Sequence, residues 1–121
     1  MKRAILLVDH GSRKDDANAV VEAIAASLRE RRPDTIVEVA HMELAEPTLA
    51  EAFARCVTRG ASEVAVCPYF LGPGRHTTGD IPRLVEAASA AHPQVRATIA
   101  APLGFDDRLV DVVIDRIDAA R

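Results

Sequence analysis

Ala4-Ile5-Leu6-Leu7-Val8-Asp9-His10-Gly11-Ser12 is the stretch whose reading decides the fold. Residues 4–8 are a continuous apolar run of strand length, the pattern of a strand buried on both faces of a parallel sheet. The run stops at Asp9-His10-Gly11-Ser12, where polar and turn-forming residues hand the strand over to a loop. Asp15 or Asp16 can then cap a helix whose Val20, Val21, Ile24, Ala25 and Leu28 share one face, and Arg32-Pro33-Asp34 breaks it.

Three more strand and helix pairs follow. Ile36–Met42 reads as a second strand, Pro47 suits a first helical position, and Leu49, Ala50, Phe53, Ala54 and Val57 form the next apolar stripe, stopped by Gly60. Val64–Phe70 is a third strand. After a glycine-rich loop, Asp80 would cap a helix running to His92-Pro93. Val95–Ala100 is the fourth strand, and Leu109, Val110, Val113, Ile114 and Ile117 give a helical period capped by Asp106 or Asp107. Strict alternation predicts an α/β fold: a four-stranded parallel sheet with helices on both faces, for which right-handed crossovers and the need to cover both faces favour the order 2-1-3-4. That order sets strands one and three side by side at the switch point.

The 121 residues, 49% of them hydrophobic, suffice for one core and one domain, residues 1–121. A formal charge of −3 disfavours a polyanion binder, so nucleic acid is not expected as a partner. Cys56 and Cys67 fall in apolar segments without metal or redox spacing, which suits free thiols in a reducing compartment such as the cytoplasm. No run reaches the roughly 18 apolar residues of a membrane span, and Met1-Lys2-Arg3 enters the first strand directly, so no membrane anchor or leader is expected.

Chemistry gathers where the strands end. His10 follows strand one, His41-Met42-Glu43 ends strand two, and His76 lies in the loop after strand three. His41 and Glu43 share strand parity and would point to one side. Neighbouring strands lie about 4.8 Å apart, so His10, Glu43 and His76 can converge on one ion or one substrate atom. Such a nitrogen and oxygen set suits borderline divalent metals, and the same groups can accept protons. His41 is the competing fourth donor.

Gly72–Gly79 could instead cradle a phosphate, but Arg75-His76-Thr77-Thr78 replaces the Gly-Lys-Ser/Thr ending which that chemistry uses. A phosphohistidine mechanism at His10 is disfavoured by Asp9, whose charge repels a phosphate. Tyr69, Phe70 and Phe105 cluster near the same rim and would support a flat apolar ligand. Arg13, Lys14, Arg75 and Arg83 could grip its carboxylates, with Ser12, Thr77 and Thr78 in the same loops.

With these residues in hand, the chain resembles the small single-domain class II chelatases of the sirohydrochlorin cobaltochelatase or ferrochelatase type. The likeness spans Asp9-His10-Gly11-Ser12-Arg13, Glu43-Leu44-Ala45-Glu46-Pro47, Pro68-Tyr69-Phe70-Leu71, Gly74-Arg75-His76 and Asp80-Ile81-Pro82. It implies a chelatase-like, flavodoxin-like three-layer sandwich. It also implies insertion of a divalent metal (Co2+, Fe2+ or Ni2+) into sirohydrochlorin in cobalamin or siroheme biosynthesis, with no organic cofactor and a homodimeric assembly. On that resemblance His10, His76 and Glu43 bind metal and remove protons, while Ser12, Arg13, Arg75, Thr77 and Thr78 hold the macrocycle. His41 and Gly79 depart from the family pattern. The competing class is a non-catalytic metal or tetrapyrrole carrier or sensor on the same fold.

Overall fold

The computed structural model describes residues 2–120 apart from Arg75; the side chains of His76 and Thr77 also lie outside the described residues. Strands β1 (Arg3–Asp9), β2 (Ile36–His41), β3 (Glu63–Pro68) and β4 (Arg96–Ile99) form one parallel sheet in the order β2-β1-β3-β4, as expected from the sequence. β1 is central. Its Leu7 sits in register between Val39 of β2 and Cys67 of β3.

Alternate β1 side chains feed two cores. Ala4, Leu6 and Val8 join Phe53, Cys56, Ile81 and Val85 beneath α2 (Leu49–Thr58) and α3 (Ile81–Ala90). Leu7, with Ile5 at its margin, packs against Val21 and Ala25 of α1 (Asp15–Arg31) on the opposite face. A fully buried side chain such as Phe53 contributes roughly 1.5–3 kcal/mol by leaving water. Its ring stacks on His92 at 5.8 Å, which gives that histidine a structural place.

Several local expectations are corrected. Asp15 and Asp16 are first-turn residues and not the cap; Lys14 stands at the cap, and the two carboxylates face the positive end of the helix dipole. Val20 and Ile24 are exposed because α1 rests on the sheet through Val21, Ala25 and the half-buried Leu28, a narrower stripe than the periodicity suggests. Pro47 is not the first helical residue. Thr48 caps α2, accepting from Glu51 N–H while the Glu51 carboxylate accepts from Thr48 N–H, a reciprocal box that also holds the Glu51 carboxyl below its usual range. Ala50 is exposed, and Ala52 and Cys56 take the buried positions.

β2 ends at His41 and β3 at Pro68, each short of the expected end. Asp80 makes no side-chain cap; a single π-helical turn, His76–Asp80, runs directly into α3. α4 (Asp107–Ala119) is capped by Asp106 as expected, the carboxylate accepting from Arg108 N–H and held well below the usual range by the Arg108 guanidinium. None of its residues is buried.

Candidate active site at the carboxyl rim of the sheet

Backbone hydrogen bonds carry the ladder one step past the strands. Met42 N–H donates to Asp9 O (2.9 Å) and Glu43 N–H to His10 O (3.1 Å), which sets Glu43 against His10. Gly11 makes this approach possible. Its φ is +94°, and a Cβ there would lie 1.9 Å from the Glu43 carbonyl oxygen. Only glycine fits both conditions.

The result is a close pair: His10 Nε2 lies 2.9 Å from Glu43 Oε1, with the two side chains 44% and 53% exposed. His10 Nδ1 is 3.2 Å from the Gly11 carbonyl oxygen. Both partners are acceptors, so the ring fits them by donating from both nitrogens, or by donating from Nδ1 while a cation replaces the proton at Nε2. A backbone carbonyl on Nδ1 is the usual way of orienting a metal-binding imidazole. Among the described residues no group of three His, Cys, Asp or Glu side chains is close enough to hold a metal ion. The His10–Glu43 pair is half exposed to solvent.

On the other flank, Tyr69 N–H donates to Val8 O (2.7 Å), so the chain leaving β3 starts alongside the end of β1. It continues through Gly74, whose carbonyl accepts from both Thr78 N–H (2.9 Å) and the Thr78 hydroxyl (2.8 Å). The backbone of His76 opens the π-helical turn, a feature that recurs at functional sites. Of the expected site residues on this loop, Arg75 and the side chains of His76 and Thr77 lie outside the described residues.

The structure separates Glu43 from His41, because β2 ends between them and the strand parity ends with it. His41 is 3% exposed, and its Nδ1 lies 2.6 Å from Asp9 Oδ1. Asp9 and His41 are register partners, so the contact latches the ends of β1 and β2 together. The loop after β1 is braced by Asn18, which accepts from Ser12 N–H (2.9 Å) and donates to Ser12 O (2.8 Å). The Ser12 hydroxyl accepts from Lys14 N–H (3.0 Å). Ser12 therefore shapes the loop, and Arg13 is exposed beside a cleft of about 510 Å³ whose far wall is His41 and Leu44. Arg83 pairs with Asp80 on the surface, its side chain 70% exposed.

Sequence reasoning missed three features here. Asn18 had a signal, a poor helix former placed in the opening turns of a helix where it can bond the preceding loop. Leu44 and Leu71, both exposed, add apolar surface at the rim together with Phe105, which is 85% exposed. Leu44 has a positive φ of 69°, strain of the kind that collects at functional sites. Tyr69 and Phe70 are half-buried against opposite faces of the sheet. Burial pushes the Cys56 thiol up to about 12 and raises that of Cys67.

A doubly wound parallel sheet with a half-exposed histidine and carboxylate pair on its carboxyl rim defines a class, the α/β proteins that take their ligands at the strand ends. The particular family follows from comparison: the CbiX family model matches residues 4–120, and the chain belongs to that family. It is 47% identical over 113 residues to the chloroplastic sirohydrochlorin ferrochelatase of Arabidopsis thaliana, covering 93% of this chain and 50% of that protein. It is 34% identical to the sirohydrochlorin cobaltochelatase of Methanocaldococcus jannaschii, covering 93% and 96% of the two chains. The structure of the sirohydrochlorin chelatase SirB from Bacillus subtilis subspecies spizizenii in complex with cobalt superposes with a TM-score of 0.91 at 34% identity, over 98% of this chain and 50% of that one. The chain thus spans about half the length of the plant and Bacillus relatives and nearly all of the archaeal one.

Proposed function

We propose that the protein inserts a divalent metal ion, cobalt or iron with nickel as a further candidate, into sirohydrochlorin. The observation that carries this reading is the His10–Glu43 pair at 2.9 Å, half exposed at the carboxyl rim, within a chain whose relatives bear sirohydrochlorin chelatase names. Insertion exchanges two pyrrole N–H protons for one M2+ ion. The site must therefore present the metal and accept protons as the four ring nitrogens take it over. His10, Glu43 and His76 are assigned both tasks. Release to the ring needs a weak, incomplete sphere, since a closed four-ligand cage would retain the ion. Leu44, Leu71 and Phe105 offer apolar surface to the face of the macrocycle, and Arg13, Arg75, Ser12, Thr77 and Thr78 are assigned to its carboxylates.

The same proposal has residues 1–121 acting as one domain, in the cytoplasm and as a homodimer. Two cores built on one sheet support the first, and two protonated, unpaired cysteines suit a reducing compartment. The deciding experiment mixes purified protein with sirohydrochlorin and Co2+ or Fe2+ and follows the absorbance change against the spontaneous rate. Acceleration is expected. Tight binding of either substrate with no acceleration would reject the enzyme in favour of a carrier.

A further inference from the structure

The cleft of about 510 Å³ beside Arg13 is bounded by the same two loops that carry His10 and Glu43. It begins two residues past His10, at Ser12, and one past Glu43, at Leu44. Asp15, Ala19 and Glu22 line it from one face of α1, at helical spacing, and Glu46 lines it from the loop after β2. Three carboxylates thus share the cleft with one cation, Arg13. Even with the half positive charge of the α1 N-terminus added, the walls carry a net charge of about −1.5. Such a cleft repels the carboxylates of an acidic ligand and attracts cations.

His41 is a second and independent pointer. Its side chain is 4% exposed, and its Nδ1 is taken by the Asp9 carboxylate at 2.6 Å. A carboxylate accepts, so Nδ1 carries the ring proton and Nε2 presents a lone pair. Nε2 has no hydrogen-bond partner among the described residues. It is not sealed in either, since no buried side-chain atom among those residues is left unsatisfied; it opens into the cleft that His41 lines. A buried nitrogen held as an acceptor and left open suits a ligand that donates hydrogen bonds.

Positive charge and outward-pointing donors combine in a hydrated divalent cation, whose coordinated waters present polarised O–H groups on every side. Among the described residues no three His, Cys, Asp or Glu side chains are close enough to bind an ion directly. The cleft therefore suits the ion with its water shell on. Six waters take up about 180 Å³, well within the 510 Å³ present. We propose that this cleft is a second cation site, which collects the hydrated divalent metal ion and passes it to His10 and Glu43. Asp15, Glu22 and Glu46 accept hydrogen bonds from its waters at the walls, and His41 Nε2 does so at the floor. The passage is short, because Gly11 packs on His41: a Cβ on Gly11 would come within 3.1 Å of His41 Cβ. Attraction of this size enriches the ion roughly 10- to 100-fold over bulk at low ionic strength, and salt weakens it. This inference rests on the insertion reaction proposed above and adds the route by which the metal arrives.

The test pairs Glu22→Gln/Glu46→Gln with Glu30→Gln/Glu86→Gln, a control of equal charge change outside the cleft. All four side chains are exposed, so both proteins are expected to fold. For insertion of Co2+ into sirohydrochlorin at low salt, the cleft variant is expected to raise KM for the metal about 10-fold with kcat kept, and the control to stay near native. A second readout needs no turnover and uses Mn2+ added to 15N-labelled protein without tetrapyrrole. In His10→Ala/Glu43→Gln, where the rim pair is gone, Mn2+ is expected to broaden the amide signals of Ala19 and Glu22. Adding Glu22→Gln/Glu46→Gln to that protein is expected to restore them. Signals that stay sharp in His10→Ala/Glu43→Gln would overturn the inference, and so would a metal KM raised equally in the charge-matched control. Broadening at Ala19 in a protein that inserts no metal would sink the chelatase reading and leave the cation site standing. Rapid insertion in which neither KM nor broadening depends on Glu22 and Glu46 would do the reverse.

Discussion

Gly11→Ala tests the step that brings His10 and Glu43 together. The new Cβ would sit 1.9 Å from the Glu43 carbonyl oxygen, at a φ of +94°. Reaching ordinary contact requires the two loops to part by roughly 1.5 Å. The backbone strain costs about 1–3 kcal/mol, and parting the loops loosens the hydrogen bonds from Met42 N–H to Asp9 O and Glu43 N–H to His10 O, at about 0.5–1.5 kcal/mol each. The total is about 2–6 kcal/mol, against a typical stability of about 5–15 kcal/mol. Gly60→Ala is the matched control, because Gly60 has a φ of +100° with nothing within 4 Å of the added methyl group. It carries only the conformational penalty, about 1–2 kcal/mol. Urea and thermal denaturation of the two variants should therefore differ, Gly11→Ala falling by roughly 10–20 °C and Gly60→Ala by roughly 5 °C. Metal insertion by Gly11→Ala should drop on the order of 100-fold even below its melting range, since His10 and Glu43 no longer face each other. Equal losses of stability in the two variants would refute the collision as the reason for Gly11.

Other outcomes follow from the same geometry. His10→Ala and Glu43→Gln should each slow metal insertion by about 100-fold or more while changing the melting temperature by no more than about 2 °C, because both side chains are half exposed; a large loss of stability, or an unchanged rate, would contradict the assignment. His41→Phe strips the partly buried Asp9 carboxylate of its partner and should cost about 1–3 kcal/mol in urea unfolding, with Asp9→Asn costing less because an amide can still bond the ring. Cys56 is held neutral in the fold up to about pH 12, whereas in the unfolded chain it ionises near 9. Its contribution is thus fully present below pH 9 and is lost as pH rises from 9 to 12, by about 2 kcal/mol at pH 10.5. Cys56→Ala should show a shallower fall between pH 8 and 10.5 than the native chain, and parallel curves would show that the thiol is not the titrating group.

The architecture was legible because each strand is an apolar run too short for a helix and bounded by turn residues, and because alternation with right-handed winding leaves few sheet orders. The meeting of His10 and Glu43 was legible too, since adjacent parallel strands bring their ends side by side. What the sequence did not disclose was which donor of His41-Met42-Glu43 would do it. Parity assigns His41 and Glu43 to one side only while the strand lasts, and β2 stops at His41. Burial then claims His41 for Asp9, and the positive φ of Leu44 follows directly on Glu43, which the turn leaves in solvent. Thr48 was hidden behind Pro47 for a related reason: a proline announces a helix start without saying which neighbour caps it. The periodicity of α4 likewise reports an apolar face and is silent on what covers it.

The two histidine and carboxylate pairs at this rim show how one strand end can serve opposite needs. His41 is buried and Asp9 largely so, 2.6 Å apart, and removing Asp9 leaves the imidazole without a partner in low dielectric, so the pair resists exchange. His10 and Glu43 are one residue beyond β1 and two beyond β2, reached by solvent and only weakly coupled through it. In the proposed reaction an ion held there would give up little on leaving. A chelatase needs this asymmetry, because a donor pair loose enough to release metal must still be aimed, and aim requires a rigid neighbour. Asp9–His41 supplies the rigidity through the backbone, by fixing the two strand ends from which His10 and Glu43 project. The arrangement therefore predicts that damage to the buried pair slows metal insertion in proportion to the loss of order at the rim, even though neither residue touches the ion.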